Sequence, residues 1–362
     1  MNKKLFKTIG FFLLFAVIGG VMGYFIGLFL KDMEAIDQVN WWPILLSIPL
    51  AYLFVIAWHE LGHAFAGVQV GFDWKMYVVG PFLWEKKNEN WQFSWNKQTN
   101  LGGGLVVALP TTEERIADRF QCFSLGGPIA SLVGSLLFIF PSFFVSPTWK
   151  FFFIILSFFH GLIFLVTAIP FRAGGFFSDG MRFLRLRKGN PVRDLEAEFL
   201  RLITLTQHGV RPKDWPGHSI DSMIKQAKKL SDPYLVYLYS YAFYHTLDGG
   251  DFELAEQHLE NYIQLKDDLP ESFQSMVWLD ASYFQAFAMK NGEKAETFFQ
   301  QFKEIPFIPK SYILATQAEM AWANGNEEEF ELYKQLALEK MSQMMDKSMA
   351  NALTFRLSQP RT

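Results

Sequence analysis

The sequence predicts an α-helical polytopic membrane protein with a small membrane-associated β segment, followed by a soluble all-α domain of helical repeats. Hydrophobic residues make up 50% of the 362 residues and charged residues only 19%, which is too apolar for one ordinary soluble domain. The charge balance changes along the chain: residues 1–189 carry 16 Lys and Arg against 11 Asp and Glu, whereas residues 190–362 carry 17 against 25. We therefore expect a membrane domain over residues 1–189 and a cytoplasmic helical domain over residues 190–362.

Four apolar runs in the first part of the chain are each long enough to cross a bilayer. A helix of about 20 apolar residues spans the hydrocarbon core. The predicted spans cover about residues 8–30, 42–66, 121–146 and 150–170. The first run is longer than the apolar region of a signal peptide and is not closed by a clear cleavage site, so we expect no cleaved signal.

The distribution of Lys and Arg predicts the orientation of these spans. Basic residues cluster before the first span, between the second and third spans, and after the fourth span. Because cytoplasmic loops carry the excess of basic residues, we expect a multi-pass protein of the cell membrane with both termini in the cytoplasm. The cluster from Arg182 to Lys188 is expected to contact anionic lipid headgroups. The acidic second half argues against nucleic acid as a partner.

A metal-binding motif lies at the predicted cytoplasmic end of the second span, where the sequence reads His59-Glu60-Leu61-Gly62-His63. Positions i and i+4 lie on one face of a helix, so the imidazoles of His59 and His63 can bind one zinc ion. Glu60 lies about 100° around the helix and can take a proton from a water held by that ion. Placing ionisable side chains in an apolar span costs free energy. This cost favours a functional role for the three motif residues over an incidental occurrence.

A catalytic zinc ion takes three protein ligands and keeps one position open. Asp179 is a better candidate for the third ligand than His160. Pro170 ends the fourth span, and the glycines after it allow the chain to fold back so that the carboxylate reaches the metal. A plain juxtamembrane turn at Asp179 is the alternative, and the residues alone favour it. His160 lies in the middle of a span and is interpreted as a packing residue. The single cysteine, Cys122, permits no disulfide within the chain and is expected to be buried.

The order of these motifs resembles the site-2 protease family of intramembrane zinc metalloproteases. The set consists of His59 to His63 in one span, Gly127-Pro128 opening the next, and Pro170 with Asp179-Gly180 after another, and it covers roughly Trp41 to Leu186. The resemblance implies that His59, His63 and Asp179 bind one zinc ion and that Glu60 is the general base. It also implies that the substrate is a membrane-spanning segment, cut within or near the bilayer. Substrate-positioning roles would fall on Gly127, Pro128, Ser131, Thr167 and Gly103.

The chain departs from the family pattern at the positions expected to hold substrate. Ser131 stands where the pattern has Asn after Gly-Pro, and Thr167 stands where it has Asn before Pro170. A hydroxyl cannot supply the paired donor and acceptor of an amide. In addition, the interval from Pro170 to Asp179 is longer than the pattern leads us to expect. We expect these changes to affect the holding of substrate more than the binding of zinc.

The segment between the second and third spans is predicted to form β structure. Met76–Trp84 and Trp91–Trp95 are interpreted as two strands around a polar turn, with an aromatic face suited to the membrane interface. Residues 102–109 resemble the membrane-associated strand segment of the family. An edge strand can satisfy the backbone hydrogen bonds of an extended substrate, so this sheet is expected to clamp substrate. A structural hairpin that only covers the core is an equally favoured alternative.

From residue 190 onward the amphipathic pattern is typical of a soluble helical domain. Turn signals recur at residues 248–250, 291–292 and 324–326, and Gly250–Glu256 resembles part of a tetratricopeptide repeat. Stacked helical hairpins form a groove that binds a peptide or a partner domain, so we expect a protein partner here. A helical tail that only packs against itself is the alternative.

Together these observations predict a zinc-dependent intramembrane endopeptidase that acts on a transmembrane protein or a membrane-inserted peptide within the lipid bilayer. A proteolytically inactive scaffold that recruits partners through its helical repeats is a second hypothesis, which the departures at Ser131 and Thr167 keep open. An ion or proton carrier is a third hypothesis. It is less favoured because the ionisable groups cluster at one depth instead of forming a relay across the bilayer.

Overall fold

The computed structural model describes residues 39–87, 90–96, 103–112, 114–173, 176–269, 271–305, 308–344 and 346–360, together with residues 20, 24 and 27. The predicted first span, residues 8–30, lies outside the described residues except at those three helical positions. It therefore stays a prediction, as does the total of four spans.

Three described helices are long and apolar enough to cross a membrane. They are α1 (Trp41–Gln69), α2 (Ile116–Ile139, extended by a 3₁₀ turn at Phe140–Phe143) and α3 (Pro147–Ala168). They correspond to the predicted second, third and fourth spans. Pro147 begins α3, where its missing N–H removes no intrahelical hydrogen bond, and α3 ends two residues before Pro170. The third span ends about three residues earlier than predicted, because the 3₁₀ turn and Pro147 close it.

A four-stranded antiparallel sheet follows α1, and its strand order is β3-β2-β1-β4. The strands are β1 (Phe72–Val79), β2 (Phe82–Lys87), β3 (Asn90–Trp95) and β4 (Gly104–Pro110). The prediction of one strand from Met76 to Trp84 is wrong. Gly80, with a φ of 52°, and Pro81 form a two-residue turn that divides this segment into β1 and β2.

A short hairpin and ten helices follow α3 among the described residues. The hairpin consists of β5 (Arg172–Ala173) and β6 (Phe176–Phe177), and the first helix after it is α4 (Asp179–Arg185). The remaining helices are α5 (Arg193–Gln207), α6 (Gly217–Leu230), α7 (Leu235–Gly249), α8 (Phe252–Gln264), α9 (Glu271–Phe287), α10 (Gly292–Phe299), α11 (Lys310–Ala323), α12 (Glu327–Lys340) and α13 (Lys347–Leu357). One hydrophobic core runs through α5 to α13.

Each of the three predicted turns lies between two helices that pack against one another: α7 with α8, α9 with α10, and α11 with α12. An N-cap side chain starts the second helix of every pair. Asp251, Asn291 and Asn326 each accept a hydrogen bond from the backbone N–H three residues later. The sequence therefore located these turns correctly, and the tetratricopeptide assignment itself stays a prediction.

The chain divides into two compact units, and the predicted domain boundary at residue 189 stays a prediction. One unit consists of Met1–Val55 and Leu132–Leu162, and the other of Ile56–Ser131 and Ile163–Thr362. In the first unit, the buried ring of His160 stacks on Phe138 with centroids 5.2 Å apart, which agrees with a packing role. Every residue proposed for the site lies in the second unit.

Two sequence expectations about side-chain environment are wrong. Cys122 is exposed on α2 instead of buried, because it lines a surface cavity together with Asp118 and Arg119. The sequence predicts that Arg185 contacts lipid headgroups with the rest of its basic cluster. Its side chain is instead buried against Glu196 and Asp232 of the helical segment, since those carboxylates neutralise its charge.

Candidate metal centre

The two motif histidines lie side by side on α1. His59 and His63 are four residues apart on one helix face, and their ring centroids are 4.9 Å apart. Both residues are buried, with 5% and 6% of their surface exposed. The helix thus presents two imidazoles together inside the protein.

Asp179 reaches these rings because the chain folds back after α3. Ser178 caps α4 by accepting a hydrogen bond from the N–H of Met181, and its hydroxyl donates to the carbonyl oxygen of Ile169. Gly180 allows the start of α4 to approach the end of α3 closely: an added Cβ would lie 1.8 Å from the carbonyl oxygen of Ala168. These contacts fix the first turn of α4, where Asp179 is the first residue.

The three side chains meet at a distance that suits a metal ion. Oδ2 of Asp179 lies 3.3 Å from Nε2 of His59 and 3.3 Å from Nε2 of His63. One ligand atom from each residue lies within 4.8 Å of the others. Tetrahedral zinc with bonds of about 2.0 to 2.1 Å holds neighbouring ligand atoms about 3.3 Å apart. The two nitrogens and one carboxylate oxygen therefore fit zinc by donor type and by spacing.

Hydrogen bonds orient both imidazoles toward this point. Nδ1 of His63 lies 2.9 Å from the carbonyl oxygen of Phe123, and Nδ1 of His59 lies 2.9 Å from the hydroxyl of Ser131. A carbonyl oxygen can only accept, so the proton of neutral His63 is on Nδ1 and its Nε2 lone pair is free for a metal. The Ser131 hydroxyl can accept in the same way from His59. Metal-binding histidines are commonly held by such bonds to the far ring nitrogen.

Gly127 on α2 leaves space beside the two ligand nitrogens. A Cβ at this position would lie 2.3 Å from Nε2 of His63 and 2.5 Å from Nε2 of His59. Any side chain here would occupy the place that a metal ion needs. The sequence predicted a substrate-positioning role for Gly127, and its position indicates a direct effect on the metal site as well.

Glu60 faces the first part of strand β4. The Val106 N–H donates a hydrogen bond to its carboxylate. A Cβ on Gly104 would lie 2.6 Å from Oε1 of Glu60, so the backbone of β4 passes directly over this carboxylate. The neighbouring Gly103 is exposed, and a Cβ there would meet open space. The predicted glycine segment is therefore at the site, with Gly104 as the closer residue.

The remaining predicted residues are placed differently. Pro128 follows Gly127 within α2, and the hydroxyl of Thr167 donates to the carbonyl oxygen of Ile163 in its own helix. Among the described residues, the Thr167 hydroxyl thus forms its hydrogen bonds within its own helix and not with the three ligand residues, and its substrate-positioning role stays a prediction. Sequence reasoning missed Phe123 and Val106, because they act through backbone atoms that any residue type supplies.

The charge state of Asp179 suits a metal ligand. Burial alone would raise the pKa of its carboxyl, but when no metal is bound the charge of protonated His63 and His59, together with their hydrogen bonds, outweighs burial and holds that pKa well below its usual range. The carboxylate is therefore ionised throughout the neutral range. A metal ion does not have to displace a proton from it.

Comparison with known families decides the assignment. Residues 47–353 match peptidase family M50, the site-2 protease family. The chain belongs to peptidase family M50. The match covers all three candidate ligands, Glu60, the sheet and most of the helical segment. Because M50 peptidases are zinc metalloproteases, the family agrees with the donor set of the site, and together with the apolar helices it indicates a membrane protein. No curated protein and no solved structure gave a match.

Proposed function

We propose that this M50 member is an intramembrane zinc endopeptidase that hydrolyses a peptide bond within or near a transmembrane segment. Its substrate would be a membrane protein or a membrane-inserted peptide. The observation that carries the proposal is the position of the Asp179 carboxylate, 3.3 Å from Nε2 of both His59 and His63 at the end of an apolar helix. As part of this proposal, the protein is multi-pass with both termini in the cytoplasm.

The residues of the site have separate roles in this proposal. His59, His63 and Asp179 hold zinc, while Ser131 and the Phe123 carbonyl keep the rings turned toward it. Bound zinc supplies a Lewis acid that polarises the scissile carbonyl and lowers the pKa of a water molecule to about 7. Glu60 takes the proton of the attacking water on its carboxylate and passes it to the leaving amine.

Strand β4 is the proposed place for the substrate backbone. It pairs with β1 on one side and ends the order of the described sheet, so its other edge offers backbone groups for an extended segment. Gly104 brings this strand against Glu60. An added substrate strand would thus lie beside the general base, which supports the clamp hypothesis over a hairpin that only covers the core.

Two substitutions test the roles in the purified full-length protein. Glu60→Gln keeps the size of the side chain but removes the base, so zinc content should stay near one per chain while cleavage falls by several orders of magnitude. Asp179→Ala should lose both zinc and cleavage. Full cleavage by either variant would refute the assignment.

The substrate can be sought by comparing membrane-derived peptides from cells that carry the wild-type or the Glu60→Gln protein. Fragments present only with the wild type identify cleavage sites, which should fall within or next to apolar segments. A scaffold without proteolytic activity would give identical peptide sets and a zinc-free protein. That result would favour recruitment of a partner by the helical segment.

A further inference from the structure

Helix α4 has a candidate metal ligand at its first position and a buried arginine at its last. Asp179 is its first residue and Arg185 its last. Six residue steps in a helix cover about 9 Å. Any displacement of α4 along its axis therefore moves the carboxylate of Asp179 relative to the two imidazoles on α1.

The Arg185 end of α4 is fixed by buried charges. Nε of Arg185 lies 2.5 Å from Oε2 of Glu196, and Nη1 lies 2.9 Å from Oδ2 of Asp232. The guanidinium also lies over the rings of Phe177 and Tyr234, at 4.3 and 4.8 Å from their centroids. Glu196 is fully buried and Asp232 is 6% exposed. The two carboxylates belong to the helical segment that follows α4.

Two further contacts join the same helical segment and α4 to the start of α2. Nη2 of Arg193 lies 2.7 Å from Oδ1 of Asp118, and Nε2 of Gln121 donates to the carbonyl oxygen of Phe183 at 3.1 Å. Since α2 also provides the groups that orient the histidines, the helical segment is tied to both sides of the metal site.

Stability alone does not account for such a buried ion cluster. Replacing a buried ion pair with apolar side chains of similar volume is often neutral or stabilising. A set of charges with several directional bonds instead defines one position for the helix that carries it. A metal ligand needs this kind of support, because its geometry must hold to within about 0.5 Å.

We propose that Arg185, held by Glu196 and Asp232, is a positioning residue that places the Asp179 carboxylate at the metal site. The helical segment after α4 is then part of the metal centre and not only a binding module. This inference rests on the proposed function, since it assumes that Asp179 binds zinc.

The test measures metal binding by the full-length protein in detergent micelles. Arg185→Met should weaken zinc binding by on the order of 10- to 100-fold in a chelator competition. It should also change the visible spectrum of the cobalt-substituted protein, because a displaced carboxylate alters the coordination geometry. Arg185→Lys keeps the positive charge but loses the planar guanidinium, so its zinc affinity should lie between those of the wild type and Arg185→Met.

A second variant avoids the problem that Arg185→Met leaves two buried carboxylates without a partner. The triple variant Arg185→Met, Glu196→Gln, Asp232→Asn contains no uncompensated charge in the cluster. This variant should fold. Its zinc affinity should nevertheless be lower than that of the wild type, and its cobalt spectrum should change in the same way as that of Arg185→Met.

Arg356 provides the matched control. It is equally buried in the helical segment, pairs with Asp248 at 3.0 Å, and lies near two aromatic rings, but it has no described contact with α4. Arg356→Met should leave zinc affinity and the cobalt spectrum unchanged. The inference is overturned if the Arg185 variants bind zinc as tightly as the wild type, or if Arg356→Met weakens binding to the same extent. A wild-type protein that binds no zinc would instead refute the proposed function itself.

Discussion

The hydrogen bond between His59 and Ser131 leads to a quantitative prediction for zinc affinity. Nδ1 of His59 lies 2.9 Å from the hydroxyl of Ser131, which is fully buried on α2. Ser131→Ala removes the hydroxyl that holds Nδ1, and the ring keeps its backbone hydrogen bond to Gly127 and its contact with Asp179. The imidazole is then less restrained in its rotation and in its tautomer, so Nε2 presents its lone pair to the metal for less of the time.

The size of the effect follows from this contact. Loss of a group that hydrogen-bonds a metal-binding histidine typically weakens metal binding about 10- to 100-fold. That range corresponds to a loss of about 1.4 to 2.8 kcal/mol in the free energy of zinc binding. We therefore expect the zinc dissociation constant of Ser131→Ala to rise by one to two orders of magnitude.

The assay is a competition with a chromophoric chelator, using purified full-length wild type and Ser131→Ala. Ser142→Ala is the control, since Ser142 is 1% exposed and its hydroxyl donates to the carbonyl oxygen of Ile139 in its own helical turn. Its dissociation constant should stay near that of the wild type. If Ser131→Ala also binds zinc within about twofold of the wild type, the hydroxyl does not orient His59 and the reasoning is refuted.

Three further predictions concern other parts of the chain. Gly127→Ala should abolish zinc binding in metal analysis, because the added Cβ would lie 2.3 Å from Nε2 of His63, whereas Ile129→Ala on the exposed face of α2 should keep the metal. Gly104→Ala should keep zinc but reduce peptide cleavage at least tenfold, because its Cβ would displace the carboxylate of Glu60; unchanged turnover would contradict this. Burial raises the pKa of Asp280 to about 7 although two tyrosines donate to it, so its contribution to stability is complete below about pH 4 and is lost as the pH rises through 7. Asp280→Asn should therefore melt at a temperature that depends less on pH between 5 and 8 than the wild type does.

Features that depend on local spacing could be predicted from the sequence. The i, i+4 spacing placed His59 and His63 on one face, and the lengths of the apolar runs located the three described spans. The third ligand was harder to predict. The residues alone favoured a plain turn at Asp179, and only the resemblance to a protease family pointed to the contact that the structure contains.

Features that depend on packing between distant segments could not be predicted. The Gly80-Pro81 turn interrupts a run that has the composition of one strand. The sequence predicts a substrate-positioning role for Ser131, but helix packing brings its hydroxyl to the imidazole of His59. Arg185 resembles its basic neighbours in sequence, and only the fold shows that two later carboxylates enclose it, Glu196 on α5 and Asp232 in the turn after α6.

The order of the residues along the chain has a consequence for biosynthesis. The two imidazoles leave the ribosome long before Asp179, and the carboxylate of Asp232 that pairs with Arg185 follows later still. A nascent chain that contains both histidines but ends before Asp179 lacks one donor of the proposed metal centre and the charges that hold α4. Assembly of the proposed metal centre therefore has to wait for translation of the helices after α4, and a shorter nascent chain lacks the complete site.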